Sequence, residues 1–115
     1  MGDAIRLGGF LVAPAEIEGA IATFNGITGV QVVAVERPDG ARPVAFVTGQ
    51  PSLSENAMIS ALSISLAIYK VPVRIITLDS FPTTPSANGD KIQLVRLRAL
   101  ANELLENANA TESRS

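Results

Sequence analysis

The run Val30-Gln31-Val32-Val33-Ala34-Val35 constrains this chain more than any other stretch. β-Branched side chains lose χ1 freedom in a helix and pack well on a pleated surface, so the run predicts a strand. Pro38-Asp39-Gly40 follows and carries the residues that turns require. Val44 to Thr48 then reads as a second strand, and the pair predicts an antiparallel hairpin. A lone hairpin buries too little apolar surface to stand in water. The rest of the chain must therefore cover it.

The flanking segments supply the cover. Ile5-Arg6-Leu7 and Phe10-Leu11-Val12 surround Gly8-Gly9, which predicts a small hairpin turning at the glycines. Pro14 suits the first turn of a helix, with Glu16 and Glu18 near its positive end and Ile17, Ile21 and Phe24 on one face. Asn25-Gly26 closes that helix. Ser52 with Glu55 resembles a capping box opening a second helix, with Met58, Ala61, Leu62 and Ile68 on one side. Tyr69-Lys70-Val71-Pro72 stops it, because proline lacks an N–H and biases Val71 to extended geometry. Val73 to Leu78 is a third main strand. Phe81 to Gly89 reads as a loop, and Asp90 with Gln93 as a second capping box that puts Lys91 at a helix start. Leu94, Leu97, Ala101 and Leu104 form that helix's apolar stripe. The sequence turns polar from Glu106. The expected organisation is one domain, residues 1–105, and a polar, disordered tail, residues 106–115. The fold class is α+β: a small sheet of three main strands plus an N-terminal hairpin, with about three packed helices.

Composition excludes several classes of chemistry. The chain has 115 residues, 47% of them apolar, enough for a single buried core. No apolar stretch reaches the ~18–20 residues of a membrane span, and no basic segment with an apolar stretch and small-residue cleavage site marks a secretory signal. There is no cysteine and no histidine, which rules out thiolate or Ser-His nucleophiles and imidazole or thiolate metal sites. This usage fits a cytoplasmic protein. A net charge of -2 leaves no basic face for nucleic acid, and the aromatic content of 4% leaves no stacking platform for bases. The groups left for chemistry are Lys, Arg, Asp, Glu, Tyr69 and backbone N–H groups.

Four segments are candidates. Lys91 at a helix start would add a full charge to the helix's partial one and favour an anion; on local spacing, a solvated lysine beside a capped helix is the simpler account. The Gly8-Gly9-Phe10 turn allows close approach to the backbone, or is a tight turn and no more. Glu16 and Glu18 point to different sides of a helix, so they read as charges complementing its dipole. Tyr69-Lys70 could contact a ligand, but the end of an amphipathic helix is the default.

In order and distance, these segments resemble the C-terminal domain of the adenylate-forming superfamily, which includes acyl-CoA synthetases, luciferases and peptide-synthetase adenylation domains. Ile5 to Glu18, with Gly8-Gly9-Phe10 inside it, is similar to the segment that opens this domain after its hinge. Tyr69-Lys70-Val71-Pro72 is similar to the motif before the last strand. Phe81-Pro82-Thr83-Thr84 through Lys91-Ile92-Gln93, then Leu97-Arg98, is similar to the loop carrying the family lysine and its following helix.

The resemblance implies a mobile lid that serves two half-reactions. An acid is activated with ATP to an acyl-adenylate, then transferred to a thiol such as that of coenzyme A. ATP and Mg2+ would be held mainly by an N-terminal AMP-binding domain, the lid's partner. Lys91 would be the catalytic lysine of the first step, and Gly8, Gly9 and Phe10 would face the pantetheine arm in the second. The hinge position, commonly Asp or Lys, aligns with Gly2. The loop Pro85 to Lys91 is longer than the commonest Ser/Thr-Gly-Lys form, which leans toward a fatty-acid–CoA ligase over a peptide-synthetase domain. No Gly-rich phosphate loop with Lys-Ser/Thr is present, so the chain alone is expected to be inactive. The alternatives are an adenylation domain serving a carrier protein, a stand-alone small-molecule-binding regulatory module, and an interaction domain whose turn and loop bind a protein.

Overall fold

A computed structural model describes residues 5–7, 9–38, 40–86 and 89–113, with side chains described except at 84–86, 89–91 and 106–113. Gly2, Gly8 and Asp39, each named in the sequence reading, lie outside the described residues, as does the Lys91 side chain. The chain divides into two compact units, Met1–Ser80 and Phe81–Ser115.

The first unit opens with β1 (Ile5–Leu7) and β2 (Phe10–Val12), an antiparallel pair in which Leu7 faces Phe10 across the glycine turn. Then come α1 (Pro14–Ala22), β3 (Ile27–Val35), β4 (Arg42–Gly49), α2 (Glu55–Ser65), a 3-10 turn at Ile68–Lys70, and β5 (Arg74–Leu78). The main sheet has the order β3-β4-β5. β3 and β4 form the expected antiparallel hairpin, Val33 opposite Val44 and Val32 opposite Ala45. β5 runs parallel to β4, because α2 carries the chain back before β5 begins, as a parallel connection requires.

One core cluster of this unit lies on one face of that sheet, and Val33, Val35, Val44 and Phe46, which alternate to the other face, are buried as well. Val32, Ala45, Val47 and Ile75 pack with Ile17 and Ile21 of α1, Met58 and Leu62 of α2, and Leu7 and Val12 of the small hairpin. Burying each large aliphatic side chain stabilises the fold by about 1.5–3 kcal/mol. On each outer strand of the sheet one N–H is satisfied by a helix carboxylate. The Val32 N–H on β3 donates to Glu18 Oε2 at 3.1 Å, and the Ile75 N–H on β5 donates to Glu55 Oε2 at 2.9 Å. An unpaired edge N–H invites pairing with another chain, so these contacts protect the sheet as well as satisfy it.

Two expectations for α2 change. Its N-cap is Ser54, whose Oγ accepts from the Ala57 N–H at 3.2 Å, not Ser52. Glu55 is drawn away from any capping box by Arg74 and the Ile75 N–H. The helix also ends at Ser65, where Leu66 turns extended, so Ile68 lies outside it and is 81% exposed.

The second unit holds β6 (Thr83–Ser86), β7 (Gly89–Ile92) and α3 (Leu94–Ser113). β6 and β7 pair antiparallel, with Thr84 opposite Lys91 and Pro85 opposite Asp90. This corrects the expected loop and the expected capping box. Lys91 lies on a strand, and the helix begins after Gln93, whose carbonyl accepts from the Arg96 and Leu97 N–H groups at 3.1 and 3.3 Å. A backbone ladder between short polar stretches leaves no apolar alternation in the sequence; the stripe from Leu94 coincides with the helix start, and it is Asp90 and Lys91 that fall outside the helix. Within that stripe Leu97 and Ala101 are buried and Leu94 is 40% exposed; Leu105 completes the buried spacing of four. The helix continues to Ser113, past Glu106.

Candidate functional site

The structure brings three of the four candidate segments together in the first unit. The glycine turn is the starting point. Gly9 has φ of 91°, which an L-residue with a Cβ adopts only with strain. A Cβ added to it would meet nothing within 4 Å, so the backbone at Gly9 borders open space. Phe10 follows directly and is half exposed.

Its ring stacks on that of Tyr69, centroids 4.3 Å apart and planes 17° from parallel. Tyr69 lies in the 3-10 turn, which forms because Pro72 cannot extend a helix while Lys70 and Val71 bond back to Ala67 and Ile68. Next to it, Lys70 Nζ donates to Glu16 Oε2 at 2.7 Å. The ammonium also stands 5.7 Å from the Tyr69 ring centre, within the range of a cation–π contact. The hydrogen bond to Glu16 raises the Lys70 pKa above the ordinary 10.5. Glu16 was read as a charge complementing the helix dipole, and Tyr69-Lys70 as a helix end. Neither reading anticipated that they meet each other and the turn. No local pattern carries this, since the partners lie more than fifty residues apart in sequence.

Glu18 takes no part in the cluster; it closes the β3 edge at Val32. Lys91 belongs to the second unit, on β7. It does not occupy the first turn of a helix, so the coincidence of its charge with a helix's positive end no longer argues for an anion site. Among the described residues, no group of three or more His, Cys, Asp or Glu side chains converges as a metal site would require. No helix among them is long and apolar enough to cross a membrane.

The arrangement is an exposed Phe10 stacked on a partly buried Tyr69, beside a backbone open to close approach, with one cation held by one carboxylate. It offers a surface for a slender, partly apolar group.

Comparison with known proteins places the chain. Residues 16–88 match the family described as AMP-binding enzyme C-terminal domain. That span contains Tyr69 and Lys70; the Gly8-Gly9-Phe10 turn precedes it and Lys91 follows it. The chain is 35% identical to a 3-hydroxybenzoate–CoA ligase of Aromatoleum sp. (strain CIB), over 85% of this chain and 19% of the relative. It is 31% identical to tyrocidine synthase 2 of Brevibacillus parabrevis, over 77% of this chain and 2% of the relative. Among solved structures, ATP-bound MatB from Rhodopseudomonas palustris superposes with a TM-score of 0.78 at 27% identity, covering 90% of this chain and 20% of that one. A fatty acyl CoA synthetase of Mycobacterium tuberculosis gives 0.72 at 32% identity, covering 85% and 19%. The chain thus spans about a fifth of the length of the CoA ligases it matches. With the α+β order of its elements and a family match over more than half its length, the chain belongs to the AMP-binding enzyme C-terminal domain family.

Proposed function

We propose that this chain is the mobile C-terminal lid of an ATP-dependent acid–CoA ligase, with its own N-terminal AMP-binding domain as partner. The observation that carries the reading is the family match over residues 16–88, joined to CoA ligases of which this chain matches only about a fifth. In this reading the acid is activated to an acyl-adenylate with release of pyrophosphate, then passed to coenzyme A in the cytoplasm. A fatty acid is the proposed substrate class. The longer loop before Lys91 and the likeness to a fatty acyl CoA synthetase favour it.

Lys91 is the proposed catalytic residue of the first step. The carboxylate and the α-phosphate it attacks are both anionic, so a cation is needed to bring them together and to hold the charge of the transition state. A lysine on a long stem supplies that charge as a point, which suits a contact made and broken as a lid moves. Gly2 is the proposed hinge. Gly8, Gly9 and Phe10 form the proposed thiol face of the second step. The open space beside Gly9 fits a thin pantetheine arm passing the backbone, and the exposed Phe10 ring gives it an apolar wall. Coenzyme A supplies the thiol that accepts the acyl group. The described residues do not converge on a metal, and in this reading the AMP-binding domain holds Mg2+. Under the same reading, a change of pose against the AMP-binding domain would present Lys91 and the glycine turn in alternation.

A second reading is favoured by one observation. The match to tyrocidine synthase 2 shows that the likeness extends to a peptide synthetase, so the thiol could belong to a carrier protein. The test for both begins with the isolated chain. Incubated with ATP, Mg2+, coenzyme A and fatty acids of graded length, it should form no thioester; turnover there would overturn the lid reading. Joined to its AMP-binding domain, it should acylate coenzyme A. Acylation of a carrier protein alone would select the second reading.

A further inference from the structure

The small hairpin is pinned to the core through Leu7 but leaves the Phe10 ring outside it. Each of its strands has three residues, and two-stranded ribbons of this size are marginal in water. Val12 is buried at its base, and Leu7, opposite Phe10 beside the turn, is buried on the other strand. At the tip, Phe10 is 54% exposed, and the one ring contact it makes among the described residues is the stack on Tyr69. Tyr69 sits in a single 3-10 turn whose next residue, Lys70, is bonded to Glu16 on α1 and lies over the Tyr69 ring. The contacts form a chain: α1 holds Lys70, Lys70 flanks Tyr69, and Tyr69 holds Phe10.

From this geometry we propose that Tyr69 is a positioning residue: its stack on Phe10, braced by the Glu16–Lys70 pair, fixes the Gly9-Phe10 backbone in the shape that receives the thiol substrate. The role rests on the reading of this turn as the thiol face. Tyr69 acts here through Phe10, and its ring, not its hydroxyl, is the working part. Phenylalanine at position 69 would therefore serve and leucine would not.

Two measurements test this. The first does not depend on the reaction. Tyr69 is the only tyrosine and there is no tryptophan, so the tyrosine band of the near-ultraviolet circular dichroism reports this ring alone. Phe10→Leu should collapse that band while the far-ultraviolet spectrum stays unchanged, and Glu16→Gln should weaken it. A band indifferent to Phe10→Leu overturns the stack. Should Phe10→Leu fail to fold, Tyr69→Phe and Tyr69→Leu replace it, read by the Gly9 amide resonance. The resonance should stay in place in the first and move in the second; the same position in both overturns the proposal.

The second uses the ligase joined to its AMP-binding domain. Tyr69→Leu should raise KM for coenzyme A about two- to tenfold, the range expected for losing one aromatic pair. ATP–pyrophosphate exchange should be unchanged, and Tyr69→Phe should restore the wild-type KM. Equal losses in both half-reactions, or an unchanged KM, overturn the positioning role. Gly9→Val separates that failure from failure of the thiol-face reading. If it leaves thioester formation intact, the turn is not the thiol face and both fall; if it blocks thioester formation, Tyr69→Leu alone decides.

Discussion

At the scale of single residues, the informative positions are those where the backbone or a charge allows one solution. Gly26 has φ of 89°, and a Cβ there would fall on the Gln50 carbonyl and lie 3.1 Å from Pro51 Cα. Its own carbonyl accepts from the Gln50 N–H at 2.8 Å, so the two segments cross without room for a side chain. Gly26→Ala should destabilise the chain by about 2–4 kcal/mol, combining left-handed strain with displaced backbone. Gly19 is the control: it lies exposed on α1 with nothing within 4 Å of an added Cβ. Gly19→Ala should stabilise by about 0.5–1 kcal/mol. Thermal denaturation of the two variants would check both, and equal effects would contradict the crossing. The Glu16–Lys70 pair makes a prediction in pH. The folded-state pKa of Lys70 is raised above 10.5, chiefly by the hydrogen bond from its ammonium to Glu16. Because the raised value belongs to the folded state, the pair's stabilisation is present in full below 10.5 and is lost as pH rises through the folded value. Glu16→Gln should return the ammonium toward 10.5, read from the Lys70 side-chain carbon shifts in a high-pH titration. An unmoved midpoint would show that the pair does not persist in solution.

At the scale of elements, helices and sheet are joined by two carboxylates, each taking one N–H of an outer strand. Glu18 on α1 takes the Val32 N–H; Glu55 on α2 takes the Ile75 N–H and the Arg74 guanidinium. Glu18→Ala should leave a half-buried N–H without its acceptor and cost about 1–2 kcal/mol. Amide exchange at Val32 should accelerate beyond what the global loss explains, while exchange at Ala45 in the middle of the sheet should follow the global value. Uniform acceleration would mean the contact is not local. The elements also show what the sequence makes legible. The β3–β4 hairpin is written in Val30 to Val35 and Pro38-Asp39-Gly40 because strand propensity and turn chemistry are local. The glycine turn is legible for the same reason. Strand β5 is recognisable from Val73 to Leu78, yet its parallel pairing with β4 is not, since register depends on the path of α2. β6 and β7 escape because Thr83 to Ser86 has no apolar alternation; their pairing satisfies backbone groups and leaves no hydrophobic signature. Glu55 shows the limit for capping: its spacing from Ser52 fits the pattern, but a guanidinium and a strand N–H compete for the same carboxylate and win. The Phe10–Tyr69 stack joins residues of two motifs that only tertiary folding brings together.

At the scale of the whole molecule, the chain carries its proposed functions on separate units: the glycine turn in Met1–Ser80 and Lys91 in Phe81–Ser115. That separation has a kinetic consequence. If Lys91 serves adenylation alone, removing its charge must leave the thiol step intact, because the turn and its Phe10–Tyr69 brace lie wholly in the other unit. In the proposed full-length ligase, Lys91→Ala should slow ATP–pyrophosphate exchange by about 10²–10³-fold, the scale of losing one electrostatic contact to the transition state. Thioester formation from a supplied acyl-adenylate should proceed within about twofold of wild type, since no interaction realised in that transition state is lost. Lys91→Arg separates charge from shape. It keeps the cation but replaces a point charge by a planar fork, so partial recovery would support electrostatic neutralisation and no recovery would show that reach and geometry dominate. Equal loss of both half-reactions on Lys91→Ala would contradict the division of labour.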